Sequence, residues 1–230
     1  MTDILNAFVL AIELIFGGDP EFVEIVGLSL YVSLTAVGLA SLIGLPLGAL
    51  VAVYRFPGRG TVIVILNSLM ALPPVFVGLF LYLLLSRSGP LGFLGLLYTP
   101  GAMILAQCVL ATPIVAALAH QAMRTLYEEY MQQLCSLGAR TRQVIPTVLW
   151  DGRLRLVSAV MAGFGRVSAE VGAVLIVGGN IANVTRVMTT TIALETSKGN
   201  LALAMALGLV LLLIALGVNA AAVLISRTAR

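Results

Sequence analysis

The chain has 230 residues, of which 60% are hydrophobic and 10% charged, with a net charge of +3. That balance excludes a soluble globular domain and reads as an integral membrane protein with no nucleic-acid partner. Cys108 lies in an apolar run and Cys135 in a polar one, so the cysteines make neither a disulfide framework nor a metal site.

Residues 2–16 place Ile4, Leu5, Phe8, Ala11, Ile12 and Ile15 at helical spacing with acids at Asp3 and Glu13, which predicts a short helix in the membrane interface. No basic cluster precedes it, so the expectation is that no secretory signal is cleaved and that the apolar segments themselves direct insertion. Gly17-Gly18-Asp19-Pro20 breaks this helix. The uncharged run 25–54 then exceeds the roughly 20 residues a span needs, and Gly44 and Pro46 are its expected kink. A basic turn, Arg55-Phe56-Pro57-Gly58-Arg59, leads to a second span over 60–86, which Pro73-Pro74 must bend or break because two backbone donors are missing.

Residues 87–100 read as a loop holding a short turn, and 101–119 as a third span containing Gln107 and Pro113. Polarity rises over 120–155, the one long soluble connection; its His120 is read as interfacial rather than catalytic and its Trp150 as a packing or contact residue. Spans four and five follow at 156–179 and 201–225, joined by a hydroxyl-rich connection that includes Thr189-Thr190-Thr191. The expected fold is an all-α membrane protein of one domain, with five transmembrane helices and an N-terminal interfacial helix.

Five spans put Arg55, Arg59, Arg124, Arg140, Arg142, Arg153, Arg155, Arg227 and Arg230 on one side and Arg87, Arg186 and Lys198 on the other. Nine against three is a positive-inside bias that makes residues 120–155 and the C-terminus cytoplasmic and the N-terminus external.

The remaining positive charge, Arg166, falls inside the fourth span with Glu170 one turn on, where the two can pair across one helix face. Pairing offsets part of the roughly 2.5 to 3.5 kcal/mol that a charge at a helix centre costs on insertion scales. Two readings stand: Arg166 faces a water-filled path and attracts an anion, or the two residues form an ion pair that fixes helix packing. Gly163, Gly165 and Gly172 flank them and suit close helix approach, as at a packed dimer axis. The threonine run either donates hydroxyls to an anion or caps a helix beginning near Thr190, and Asn180 and Asn183 after Gly178-Gly179 read first as a helix terminus.

The polar stretch Gln132-Gln133-Leu134-Cys135-Ser136-Leu137-Gly138-Ala139-Arg140 resembles the coupling-loop motif of ABC transporter permeases, with Leu137-Gly138-Ala139 at its centre and flanks that depart from the pattern. Gly163-Phe164-Gly165-Arg166-Val167-Ser168-Ala169-Glu170-Val171-Gly172, Val177-Gly178-Gly179-Asn180-Ile181 and the segment from Thr189 to Gly199 resemble the permease subunit of tungstate-type ABC importers; molybdate permeases carry a looser version. The resemblance implies a type I importer core, a homodimer, two cytoplasmic ATPase subunits, an extracytoplasmic oxyanion-binding protein, and a tungstate, molybdate or related oxyanion cargo. The residues expected on the substrate path are Arg166, Ser168, Glu170, Asn180, Thr189 and Thr190. The resemblance also implies ATPase coupling through Gln132, Ser136, Leu137, Gly138, Ala139 and Arg140.

The chain carries no Gly-x-x-x-x-Gly-Lys-Ser/Thr motif and no Ser/His, Cys/His or HExxH arrangement, so it is expected not to be an enzyme. It is expected to hold no cofactor, with ATP and magnesium on partner subunits. The competing class is a passive anion channel or sensor subunit that needs no ATPase.

Overall fold

A computed structural model describes residues 2–17, 19–138 and 141–228, and all regular structure among them is helical. The chain order is α1 (Thr2–Gly17), α2 (Pro20–Val53), α3 (Arg59–Leu69), α4 (Pro74–Leu85), α5 (Pro100–Ser136), α6 (Thr141–Asp151), α7 (Arg153–Ser168), α8 (Gly172–Gly178), α9 (Met188–Ser197) and α10 (Leu201–Thr228). Three helices are long and apolar enough to cross a membrane, or up to five if the bent pairs α3/α4 and α7/α8 each count as one span.

Helix α2 starts where Asp19 accepts a hydrogen bond from the Glu21 amide at 3.1 Å and Pro20 supplies a preset φ at the first position. It then runs 34 residues without interruption through Pro46, so the kink expected at Gly44 and Pro46 is not a break. The glycines serve the contact with α5 instead. A Cβ on Gly44 would stand 3.0 Å from the Thr112 carbonyl oxygen, and one on Gly48 would strike the Ala116 carbonyl oxygen. His120 takes part in this contact through its backbone amide, and its side chain is buried.

Pro73-Pro74 acts as expected: α3 and α4 meet at 99°, with Pro73 extended and Pro74 opening α4. Between α4 and α5, the loop holds a single 3₁₀ turn, Gly92–Leu94. Helix α5 continues well past residue 119 and ends only at Ser136, so the connection read as soluble is helical almost throughout. Its polar part is stabilised by Arg124 and Glu128, paired at 2.8 Å one turn apart. Helix α6 folds back against it through Met123, Leu126, Val144 and Val148, all buried with Ala52 of α2. The Tyr130 hydroxyl, donating to Asp151 at 2.9 Å, ties the end of α6 to α5.

The core lies along α2 and α5. One cluster joins α4, α5 and α8 through Leu81, Met103, Leu110 and Val174; another joins α2, α5 and α7 through Val37, Ala111, Phe164 and Val167. On the far side α1 packs on α10, where Ala11, Leu207 and Val210 share a cluster with Met188 of α9.

The turn between α9 and α10 is closed by Glu195, whose carboxylate accepts from Lys198 Nζ at 2.8 Å and from Asn200 Nδ2 at 3.1 Å. The Lys198 bond, chiefly, holds the Glu195 carboxyl below the ordinary glutamate range. A depressed folded pKa stabilises the fold above the unfolded value and loses that contribution as pH falls through the folded one. Glu195→Gln is therefore expected to lower the melting temperature at neutral pH, with the difference from the parent closing as the pH falls through the depressed pKa of Glu195.

Candidate functional site

The candidate site is the joint between α7 and α8, bent by 60° at residues 169–171. A break at membrane depth exposes backbone groups that neither helix can satisfy, and without water they need partners from the protein. Three side chains supply them. Gln107 of α5, 4% exposed, donates from Nε2 to the Val167 carbonyl at 3.3 Å. Thr189 of α9 donates from Oγ1 to the Glu170 carbonyl at 2.9 Å. The Glu170 carboxylate, itself buried, accepts from the Ala173 amide at 3.1 Å in the first turn of α8. An anion there also complements the positive end of α8.

This geometry corrects the expected pairing of Arg166 with Glu170. The i to i+4 spacing presumes one continuous helix, but α7 ends at Ser168 and Glu170 turns its carboxylate to the next helix. Arg124 pairs with Glu128, Arg186 with Glu21 and Lys198 with Glu195, and among the described residues no ion pair includes Arg166. Arg166 is half-buried in the last turn of α7, where the helix dipole favours a cation and no carboxylate among the described residues pairs with it.

The glycines divide similarly. Gly163 packs on Val115 of α5 and Gly172 on Val75 of α4, both contacts within the chain, while Gly165 faces open space between exposed Ala162 and Ala169. Gly172 and Gly78 bring the first turns of α8 and α4 together, so the two broken spans meet beside their breaks.

Next to the joint lies a cavity of about 20 Å³ whose lining includes Ser29, Ser33, Gln107, Ser168 and Thr189. That is room for a single water. Two buried atoms of this lining, Gln107 Oε1 and Ser168 Oγ, have no hydrogen-bond partner among the described residues.

The other residues expected on the path are placed differently. Thr190 caps α9, accepting from the Val187 amide at 3.1 Å and donating to its carbonyl at 3.0 Å, which is the capping reading of the threonine run. Asn180 follows Gly179, which ends α8 at a φ of +73°, and is itself at +50°. The joint thus gathers Ser168, Glu170 and Thr189 beside Arg166, and leaves Thr190 and Asn180 at helix ends.

Comparison with known proteins places this joint in a lineage. Over 220 residues, 96% of each chain, the protein is 42% identical to the tungstate uptake system permease protein TupB of Peptoclostridium acidaminophilum. The chain belongs to the tungstate-type ABC transporter permeases. This permease is also 38% identical to TupB of Campylobacter jejuni, covering 94% of its own length and 90% of the relative. It is 41% identical to a probable anion ABC transporter permease protein of Haloferax volcanii, over 86% and 88% of the two chains. No protein-family model matches it.

At the other end of the permease, the expected coupling residues sit where α5 stops. Gln132 is exposed, Ser136 donates to the Gln133 carbonyl at 2.6 Å, and Leu137 is 82% exposed. Gly138 has a φ of +86°, a conformation that side chains resist, so the turn itself requires glycine. Ala139 and Arg140 lie outside the described residues. The sequence reading takes Trp150 as a packing or contact residue and gives no role to Gln107 at the joint. Trp150 on α6 is 68% exposed with the Arg153 guanidinium 4.5 Å from its ring centroid. Gln107 was noted within a span but not as the residue that secures the break; an amide in an otherwise apolar run was the available signal.

Proposed function

We propose that the permease forms, as a homodimer, the membrane pathway of an ATP-driven importer for a tetrahedral oxyanion, with tungstate as cargo. The observation that carries this is the 42% identity to a tungstate uptake permease across 96% of both chains. The protein lies in the cytoplasmic membrane of a prokaryote with its N-terminus outside and its C-terminus inside, an orientation supported by the distribution of arginines. A binding protein delivers the anion at the outer face. Two ATPase subunits grip the Leu137–Gly138 turn and α6, and their closure biases the spans toward an outward-facing state. ATP and magnesium stay on those subunits; this chain holds no cofactor.

Within the pathway, Arg166 attracts the oxyanion. Its support is chemical: it is a fixed cation at membrane depth with no carboxylate partner among the described residues. Glu170 and Thr189 keep the joint folded, and Ser168, whose hydroxyl is unpartnered among the described residues, supplies a neutral donor at the end of α7.

The deciding experiment is uptake of labelled tungstate, molybdate, sulfate and phosphate by the complex reconstituted with its ATPase and binding protein. Tungstate accumulation that requires ATP is the expected result. Downhill flux through the isolated chain with no ATPase would instead establish a channel. A second experiment locates the coupling contact: Gly138→Arg is expected to leave the permease inserted and dimeric while abolishing ATP hydrolysis stimulated by the binding protein. Normal stimulation in that variant would place the contact elsewhere.

A further inference from the structure

We propose that the permease binds the phosphate headgroup of an anionic phospholipid in a pocket between the C-terminus of α2, the turn from Arg55 to Arg59 and the polar extension of α5. The proposal does not depend on the oxyanion reading; only the choice of the cytoplasmic leaflet follows from the orientation proposed above.

The pocket has a volume of about 310 Å³, and Arg55, Arg59, Tyr127, Glu128 and Gln132 are among its lining residues. That size lies at the lower end of pockets that hold small organic ligands, about 300 to 1,000 Å³. Its charge is unbalanced. Glu128, the one carboxylate in the lining, is already held by Arg124 at 2.8 Å, and no carboxylate pairs with Arg55 or Arg59 among the described residues. Both arginines nonetheless lie close enough to act on the Glu128 carboxyl.

Arg59 is also preorganised. It donates from Nε to the Val51 carbonyl at 2.7 Å and from Nη2 to the Ala52 carbonyl at 2.9 Å, closing the last turn of α2 and fixing the plane of its guanidinium. A planar, weakly hydrated guanidinium held in place suits a phosphate oxygen better than a mobile ammonium does.

The surroundings favour a lipid over a soluble anion. Tyr54 and Phe56, 54% and 40% exposed, flank Arg55, and Leu50, 53% exposed, lies one turn back along α2. Aromatic side chains beside arginine at the end of an apolar helix mark the level of the headgroups. The exposed apolar face of α2 continues from there into the hydrocarbon, where acyl chains run. Basic pockets between helices at this leaflet are a recurring form of anionic-lipid recognition.

The test uses the full chain, purified in detergent, exposed to equal amounts of phosphatidylglycerol and phosphatidylethanolamine with matched acyl chains and read by native mass spectrometry. Preferential retention of phosphatidylglycerol is expected, surviving excess inorganic phosphate. Arg55→Gln is expected to lower that retention about fivefold, the effect of removing one basic charge at a membrane surface, while Arg55→Lys keeps most of it. Arg55 is the residue to change because Arg59 also closes α2. Equal retention of the two lipids, or unchanged retention in Arg55→Gln, overturns the proposal. Displacement by inorganic phosphate overturns it in favour of a soluble-anion site.

Discussion

Arg166→Gln is expected to insert and assemble normally and to lose oxyanion uptake by roughly ten- to hundredfold, the range expected on losing one hydrogen bond from a charged donor. Because Arg166 pairs with no carboxylate among the described residues, removing it strands no buried counter-charge, and Glu170 keeps its bond to the Ala173 amide. Arg166→Lys is expected to restore part of the uptake, since the charge returns without the planar fork. The measurement is initial uptake rate in proteoliposomes beside gel filtration of the same preparation. A dimer that falls apart in Arg166→Gln would mean that the arginine holds subunits together; unchanged uptake with an intact dimer would remove it from the path.

Gly48→Ala is the substitution with the largest expected effect on folding. One methyl group there meets the Ala116 carbonyl oxygen and comes within 2.8 Å of both the Ala119 Cβ and the His120 amide nitrogen, all on the facing helix. Backbone cannot rotate aside as a side chain can, so α2 and α5 must separate along their contact. Overpacking of this kind costs about 1 to 3 kcal/mol, and in a helix pair that carries much of the core the expected outcome is a lowered melting temperature and poor accumulation in the membrane. Gly38→Ala, on the same helix with no atom within 4 Å of the added Cβ, is the control and is expected to match the parent. Equal behaviour of the two variants would contradict the closeness of the α2–α5 contact.

These positions also show what could be read from residues alone. The apolar runs are legible as helices because spanning segments announce themselves by hydropathy, and the α3/α4 break is legible because Pro73-Pro74 removes donors locally. The α7/α8 break carries no proline. It is stabilised from a distance, by Gln107 some sixty positions earlier and Thr189 nineteen later, and no local pattern contains those partners. Read locally, Arg166 and Glu170 made a plausible ion pair; folded, Glu170 turns to the Ala173 amide and Arg166 pairs with no carboxylate among the described residues. The polar end of α5 carries its signal in the sequence too: Met123, Leu126, Tyr130 and Leu134 recur at helical spacing among the charges and cluster with Val144 and Val148 of α6, and Arg124 and Glu128 stand at i to i+4. Capping by Thr190 and the left-handed close at Gly179 were readable, because both are set by residues within one turn.

The length of α5 has a mechanical consequence. At 1.5 Å per residue, its 37 residues span about 55 Å, against a hydrocarbon thickness of about 30 Å. A single element therefore begins at the loop on one face, passes the joint where Gln107 holds Val167, and emerges far beyond the other face at Ser136. Pro113, which cannot donate to the Val109 carbonyl, lies on the same helix between Gln107 and Ser136. In the importer proposed above, the element that meets the ATPase at the Leu137–Gly138 turn is therefore the same one that holds the joint through Gln107, with no loop between them.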